Sequence, residues 1–241
     1  MITGKITPGL EALEKLQDFI KVNRLRAHAK IPCENDLCKM WNVSRSTLRQ
    51  ATNELIEEGI LYRIKDKGIY VSEPKYKRDM MGVDAMVKDL VNQGNKVGKT
   101  IISINEIEAS KPISKKMMIR LGTKVFEVYR IRNINNVPCT IETTYIISEK
   151  YPDFVEKYKR IQSMDKMFTE EYKIIQTTGK EHISIAYASE EEAKLLKIEE
   201  NSPLFFCSGI ALDQNKETVM YYKQLIRPDK FCFVSTVESK G

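Results

Sequence analysis

The stretch Val43-Ser44-Arg45-Ser46-Thr47-Leu48-Arg49-Gln50-Ala51-Thr52-Asn53-Glu54-Leu55-Ile56-Glu57-Glu58-Gly59 decides the reading of the first third of the chain. Ser44 is placed as a helix N-cap, with Val43 before it and Leu48 four residues after it as a hydrophobic staple. Leu48, Ala51 and Leu55 then form one apolar stripe, and Gly59 stands where a helix ends in a left-handed residue. Opposite that stripe lie Ser46, Gln50 and Asn53, with Arg49 on the flank and Arg45 at the N-terminal end. Upstream, Leu10, Leu13, Leu16, Phe19 and Ile20 recur at helical spacing after Pro8 and Gly9. Pro32 opens a short second helix in which Leu37 and Trp41 share a face, and Asn42 ends it. Downstream, Ile60-Leu61-Tyr62 and Ile69-Tyr70-Val71 flank Lys65-Asp66-Lys67-Gly68, two short strands around a turn. Three helices followed by a hairpin make a winged helix-turn-helix over residues 1–74.

Charge placement gives that module a chemistry. The segment Lys39 to Gln50 holds Lys39, Arg45 and Arg49 with no acid, within a chain of formal net charge +6. Arginine offers a planar fork of donors that fits guanine or phosphate, Ser and Thr hydroxyls serve phosphates, and a helix N-terminus favours anions. A merely solvated helix face explains the charges alone equally well. The staple and the hairpin tip the reading toward a DNA-reading surface.

The rest of the composition works mainly by exclusion. With 42% apolar and 30% charged residues over 241 positions, the chain is neither collagenous nor disordered, and its length suits two domains. The longest nearly apolar run, Leu204 to Leu212, falls far short of the roughly 20 residues of a membrane span. Met1 to Pro8 does not make a secretory signal, so a cytoplasmic location is expected. Five cysteines without C-x-x-C spacing and only two histidines, His28 and His182, argue against a disulfide framework, a zinc site or any metal or cofactor. No nucleotide-binding glycine pattern or hydrolase motif is present, so no catalytic residue is assigned.

Glu73-Pro74-Lys75-Tyr76-Lys77-Arg78-Asp79 combines a proline with a charge run and predicts a linker, assigned to residues 75–80. Beyond it, over residues 81–241, a repeat runs at a constant offset of 79. Ala109-Ser110 aligns with Ala188-Ser189, Ile119 with Ile198, Val125-Phe126 with Leu204-Phe205, Asn136 with Asn215 and Ile147 with Ile226. Each copy predicts a strand, a helix (Ile113 to Arg120, and Glu190 to Leu196) and a long hairpin, which together give an α+β domain with a mostly antiparallel sheet. Arg130 and Arg132 share one strand face, and Glu142 lies opposite Arg130 if the hairpin loop holds three or five residues. Their counterparts at the same offset are Gly209, Ala211 and Tyr221. Two guanidiniums and a carboxylate facing small residues describe either a polar pocket with room for a ligand or an exposed salt-bridge cluster.

The residues also resemble a family. Ile31-Pro32-Cys33-Glu34-Asn35-Asp36-Leu37, Val43 through Ala51, Glu58-Gly59 and Gly68-Ile69-Tyr70-Val71 are similar to the winged-helix signature of GntR-type bacterial transcription regulators. Leu121-Gly122, Arg130-x-Arg132, Pro138, Glu142, Ser163, Pro203 and Arg227-x-Asp229 resemble the UTRA effector domain of the HutC subfamily, whose fold is similar to chorismate lyase. This resemblance implies a DNA-binding repressor acting as a homodimer on a palindromic double-stranded operator. Ser44, Arg45, Ser46, Thr47, Arg49 and Gln50 would meet the major groove and its phosphates, and Lys67 and Gly68 of the wing the minor groove. Arg130, Arg132 and Ser163 would hold an anionic group of a small metabolite, a sugar phosphate among the candidates, with Glu142 and Tyr222 completing the site. The chain departs from the pattern at Cys33 (usually Ser), Asn35 (usually Arg) and Asp66 (usually Gly). Met220 and Ile226 also stand where amino-sugar-phosphate sensors carry Glu and Tyr. A constitutive DNA-binding regulator and a lyase-type enzyme are the alternatives.

Overall fold

The computed structural model describes residues 7–79 and 85–235, and the chain divides between Lys75 and Tyr76 into two units. In the first unit, α1 (Pro8–Val22) begins with Thr7 accepting from the Leu10 amide. α2 (Glu34–Trp41) follows, and its C-cap Asn42 takes a left-handed conformation (φ 51°), which turns the chain directly into α3 (Arg45–Glu57). Ser44 caps α3 by accepting from the Thr47 amide at 3.1 Å. β1 (Leu61–Ile64) and β2 (Gly68–Val71) pair antiparallel as the wing. Leu16, Leu37, Leu48, Leu55 and Leu61 are all fully buried in one core, each stabilising the unit by about 2 kcal/mol. The first helix, the stapled helix and the wing therefore close on each other through the stripe residues named above.

Two departures in this unit have direct structural counterparts. Cys33 occupies the N-cap of α2 without making a cap hydrogen bond, and its thiol instead donates to Asp36 at 2.9 Å. Asp66, standing where the family pattern has glycine, adopts φ 59° at the wing tip, a left-handed conformation that Asp tolerates better than most residues.

The second unit starts with β3 (Tyr76–Asp79), so four residues assigned to the linker are instead a strand; Met80 lies outside the described residues. β3 pairs in parallel with β10 (Phe231–Val234), and the Tyr76 and Phe231 rings meet at 5.5 Å between centroids. α4 (Ala85–Asn92) leads into β4 (Val97–Glu108), α5 (Lys111–Met117), β5 (Lys124–Ile134) and β6 (Val137–Ile147). α6 (Phe154–Ile161) and α7 (Met164–Glu171) precede the second copy: β7 (Thr178–Tyr187), α8 (Glu190–Leu196), β8 (Pro203–Leu212) and β9 (Thr218–Ile226). One antiparallel sheet in the order β4-β5-β6-β9-β8-β7 joins the two hairpins at its centre. α6 and α7 pack on one sheet face against Val128 and Ile146, while α5 and α8 pack on the other against Tyr145 and Ile141.

The offset of 79 holds to the level of single hydrogen bonds. Ala109 donates to Thr123 and Ala188 to Ser202, and the next turn closes through Gly122 to Ala109 and Asn201 to Ala188. α5 ends three residues earlier than its apolar pattern predicts because Met118 turns left-handed (φ 56°), as its counterpart Lys197 does (φ 56°). The first hairpin loop is a two-residue Asn135-Asn136 turn with both residues at positive φ, as a type I′ turn requires. A bulge between Arg132 and Asn133 then restores the pairing of Arg130 with Glu142. In the second hairpin the longer Asp213 to Glu217 loop shifts the register by one residue, so that Tyr222 rather than Tyr221 lies opposite Gly209.

Candidate nucleic-acid interface and ligand site

At the start of α3, Ser44 Oγ lies 2.9 Å from Ser46 Oγ and 2.7 Å from Thr47 Oγ1, a hydroxyl cluster around the helix N-terminus. Arg45, Ser46, Thr47, Arg49 and Gln50 are not buried. Arg45 and Arg49 form no ion pair among the described residues, so both guanidiniums are free to meet an outside partner. Arg49 lines a cleft of about 700 Å³ between the start of α2 and the wing, together with Lys30, Arg63, Lys65, Lys67 and Gly68. Lys30, Arg63 and Lys65 were not singled out by the sequence, since their convergence depends on how the wing folds beside α2. Arg63 from β1 donates to Glu34 at 3.1 Å and to Asn53 at 3.4 Å, tying the wing to both helices of the helix-turn-helix. Gly68 reaches φ 114° beside the Lys30 side chain, a backbone that favours glycine. The result is one cleft where Lys30, Arg49, Arg63, Lys65 and Lys67 outnumber the acids Glu34 and Asp66, with Arg63 and Glu34 paired.

The second unit gathers Arg130, Arg132 and Glu142 as read. Glu142 is 1% exposed. Its Oε2 accepts from Arg130 Nε at 2.6 Å and Arg132 Nη2 at 3.0 Å, and its Oε1 from Arg132 Nε at 2.7 Å and Thr140 at 3.2 Å. Burial alone would raise the Glu142 carboxyl, but the two guanidiniums hold it well below the usual carboxylate range. Arg130 also donates to the Tyr158 hydroxyl of α6 at 2.6 Å. Lys99 of β4 sits 4.2 Å from the centroid of the Tyr158 ring and donates to the Gln162 carbonyl. Burial, with Arg130 and Arg132 nearby, brings the Lys99 ammonium down to about 8.

Three cationic side chains thus meet one carboxylate, and Arg130 Nη2 and Arg132 Nη1 have no hydrogen-bond partner among the described residues. Arg130 is buried and Arg132 and Lys99 are half-buried, so the cluster carries net positive charge with two guanidinium nitrogens left for water or an outside partner.

The remaining two ligand-site residues stand differently. Ser163 caps α7, accepting from the Lys166 amide at 3.3 Å, and joins the cluster only through its neighbour Gln162. Tyr222 donates to Glu181 at 3.1 Å in an adjacent group on the same sheet face. Space above Gly209, which the sequence suggests as room for a ligand, is filled by the Tyr222 phenol: a Cβ at Gly209 would meet its oxygen at 2.5 Å. Lys99, Thr140 and Tyr158 escaped the sequence reading because they come from three separate elements and none carries a motif.

Comparison with known proteins bears on both units. Residues 8–71 match "Bacterial regulatory proteins, gntR family", and residues 92–232 match the UTRA domain. The chain belongs to the GntR family. Its UTRA domain is of the kind carried by the HutC subfamily. The HTH-type transcriptional regulator YurK of Bacillus subtilis is 31% identical over 95% of this chain and 96% of its own length. A probable fructoselysine utilization operon transcriptional repressor of Escherichia coli is 31% identical over 94% of this chain and 92% of its own. PhnF of Mycobacterium smegmatis shares the fold, with a TM-score of 0.71 at 21% identity over 95% of this chain and all of the PhnF chain. These GntR relatives are transcription regulators, which sets aside the lyase-type alternative and makes this chain a DNA-binding transcription regulator. Among the described residues no helix is long and apolar enough to cross a membrane.

Proposed function

We propose that this regulator is a cytoplasmic repressor that binds a palindromic operator as a homodimer and is released by a small anionic metabolite. Arg45, Arg49, the Ser44–Thr47 hydroxyls, Gln50 and the wing residues Lys67 and Gly68 read the operator. Arg130 and Arg132, with Lys99 behind them and Ser163 at the α7 cap, receive the anionic group. The observation that carries the ligand half is the surplus of cations over carboxylate at Glu142, with guanidinium N–H groups left over. A phosphorylated sugar fits that surplus, and the relative named as a fructoselysine utilization operon repressor is in keeping with a sugar-derived effector. Ligand binding favours an arrangement in which the two reading heads of a dimer are misplaced for the groove, with a coupling of about 1–3 kcal/mol.

A thermal-shift screen of the full chain with phosphorylated sugars, amino acids and carboxylates tests the ligand half: a phosphorylated ligand should raise the Tm of the native protein and leave Arg130→Ala unmoved. A fluorescence titration on the duplex upstream of the protein's own gene tests the DNA half. Binding there should be tight and salt-sensitive, and Arg49→Ala should weaken it by about 10- to 100-fold without lowering Tm. Equal affinity for wild type and variant would remove Arg49 from the interface.

A further inference from the structure

Arg78 is the third residue of the second unit, on the strand through which the chain enters that unit from the DNA-binding one. For a residue beside a linker its surroundings are unusual: it is 9% exposed. Its Nη2 donates to Glu181 Oε1 of β7 at 2.6 Å, its Nη1 donates to Gln224 Oε1 of β9 at 2.8 Å, and its guanidinium carbon lies 5.3 Å from the Phe233 ring centroid. The same Glu181 oxygen accepts from Tyr222. β3 is only four residues long and pairs with one strand, the four-residue β10. So short a two-stranded ribbon is marginal by its backbone bonds alone, and side-chain anchoring decides whether it stays.

The anchor is also adjacent to the ligand site. Gln224 is the direct cross-strand partner of Glu142, which in turn pairs with Arg130. Side chains so paired share a sheet face at neighbouring positions about 5 Å apart. On that face Arg130, Arg132, Lys99 and Arg78 oppose Glu142 and Glu181, so the Arg78 guanidinium is held against net like charge from the anion site. An anion bound at Arg130 and Arg132 reduces that opposition, and in a partly buried setting such an effect carries across one or two strands.

We propose that Arg78 is the joint between ligand site and DNA tether: its seat between Glu181 and Gln224 fastens β3, and occupation of the neighbouring anion site tightens that seat. Arg78 acts here as a positioning residue, not as a ligand contact. The inference rests on the anion-site reading above for its second half only; the anchoring of β3 stands on the Arg78 contacts alone.

Limited trypsin digestion of the full chain separates these halves, because Lys75, Lys77 and Arg78 put cleavage sites in and beside β3. Glu181→Gln keeps every cleavage site and removes the charge partner. Without ligand it should raise the cleavage rate at residues 75–78 by about tenfold, since proteolysis follows the population of the opened segment. The rate at sites in the six-stranded sheet should stay unchanged. An unchanged rate at 75–78, or equal acceleration everywhere, overturns the anchoring. Inorganic phosphate, compared with chloride at equal ionic strength, should slow cleavage of wild type severalfold and leave Arg130→Ala unaffected, with phosphate binding followed by calorimetry. Phosphate that binds wild type without protecting β3 overturns the coupling. Absence of phosphate binding to wild type overturns the anion-site reading on which that half rests, while the Glu181→Gln result still decides the anchor.

Discussion

The two copies of the strand–helix–hairpin unit share a backbone and differ in what they place on it. Where the first copy opposes Arg130 and Glu142, the second opposes Gly209 and Tyr222. One pair is ionic and shares its carboxylate with Arg132; the other fills its space with a ring and satisfies the phenol through Glu181. Burial pushes the Tyr222 hydroxyl up, and the neighbouring Glu181 carboxylate pushes it further, so it stays a neutral donor at physiological pH. The two copies therefore carry different chemistry on one backbone, an ionic cluster in the first and ring packing in the second.

The sharpest way to break this contrast is Glu142→Ala. It leaves two guanidiniums, 11% and 14% exposed at their side chains, without their shared carboxylate, and should cost about 3–5 kcal/mol in urea unfolding. The same carboxyl gives the acid limb a sign. Its folded pKa lies below its ordinary value of 4.5, so the stabilisation is complete above pH 4.5 and is lost as pH falls below it. In Glu142→Gln the acid limb of the stability profile should flatten.

On the packing side, Gly209→Ala should cost about 1–3 kcal/mol. The new methyl group would meet the Lys180 carbonyl at 2.7 Å as well as the Tyr222 ring. Adding Tyr222→Ala should recover only part of this loss, because the carbonyl cannot withdraw.

Lys99 sharpens the comparison through pH. It is charged below about 8, so phosphate affinity measured by calorimetry should decline as pH rises through that value. In Lys99→Gln no such decline should appear, because the phosphate itself only gains negative charge as pH rises. A profile identical in the two proteins would remove Lys99 from the anion site.

The smallest contrast lies at the two helix starts. Ser189 forms a capping box with Glu192, whereas Ser110 makes no side-chain cap bond ahead of α5. Ser189→Ala should cost about 1 kcal/mol by urea midpoint and Ser110→Ala close to none.

Legibility in the sequence followed the range of the interactions. The stapled helix, its caps and the repeat are local or periodic, so Ser44, Leu48, Gly59 and the offset of 79 could be read directly. Arg130, Arg132 and Glu142 were legible because two strands and one turn bring them together. β3 was not: its four residues carry three charges and no apolar alternation, and its pairing partner lies more than 150 residues away. Tyr222 was named, but its neighbours were hidden by a one-residue register change that depends on the length of the Asp213 to Glu217 loop. Lys99 and Tyr158 reach the cluster from β4 and α6, and no spacing in the chain links either of them to Glu142.

The central seam of the sheet has a consequence for how its two halves can vary. β6 and β9 pair about a point near Thr143 and Lys223, and the Tyr145 and Tyr221 rings stack across it at 5.7 Å. A contact related by a local two-fold axis is what two identical chains form when they associate face to face with the same patch. With both halves in one chain, each can vary at a position without the other, which an obligate pair of identical chains forbids.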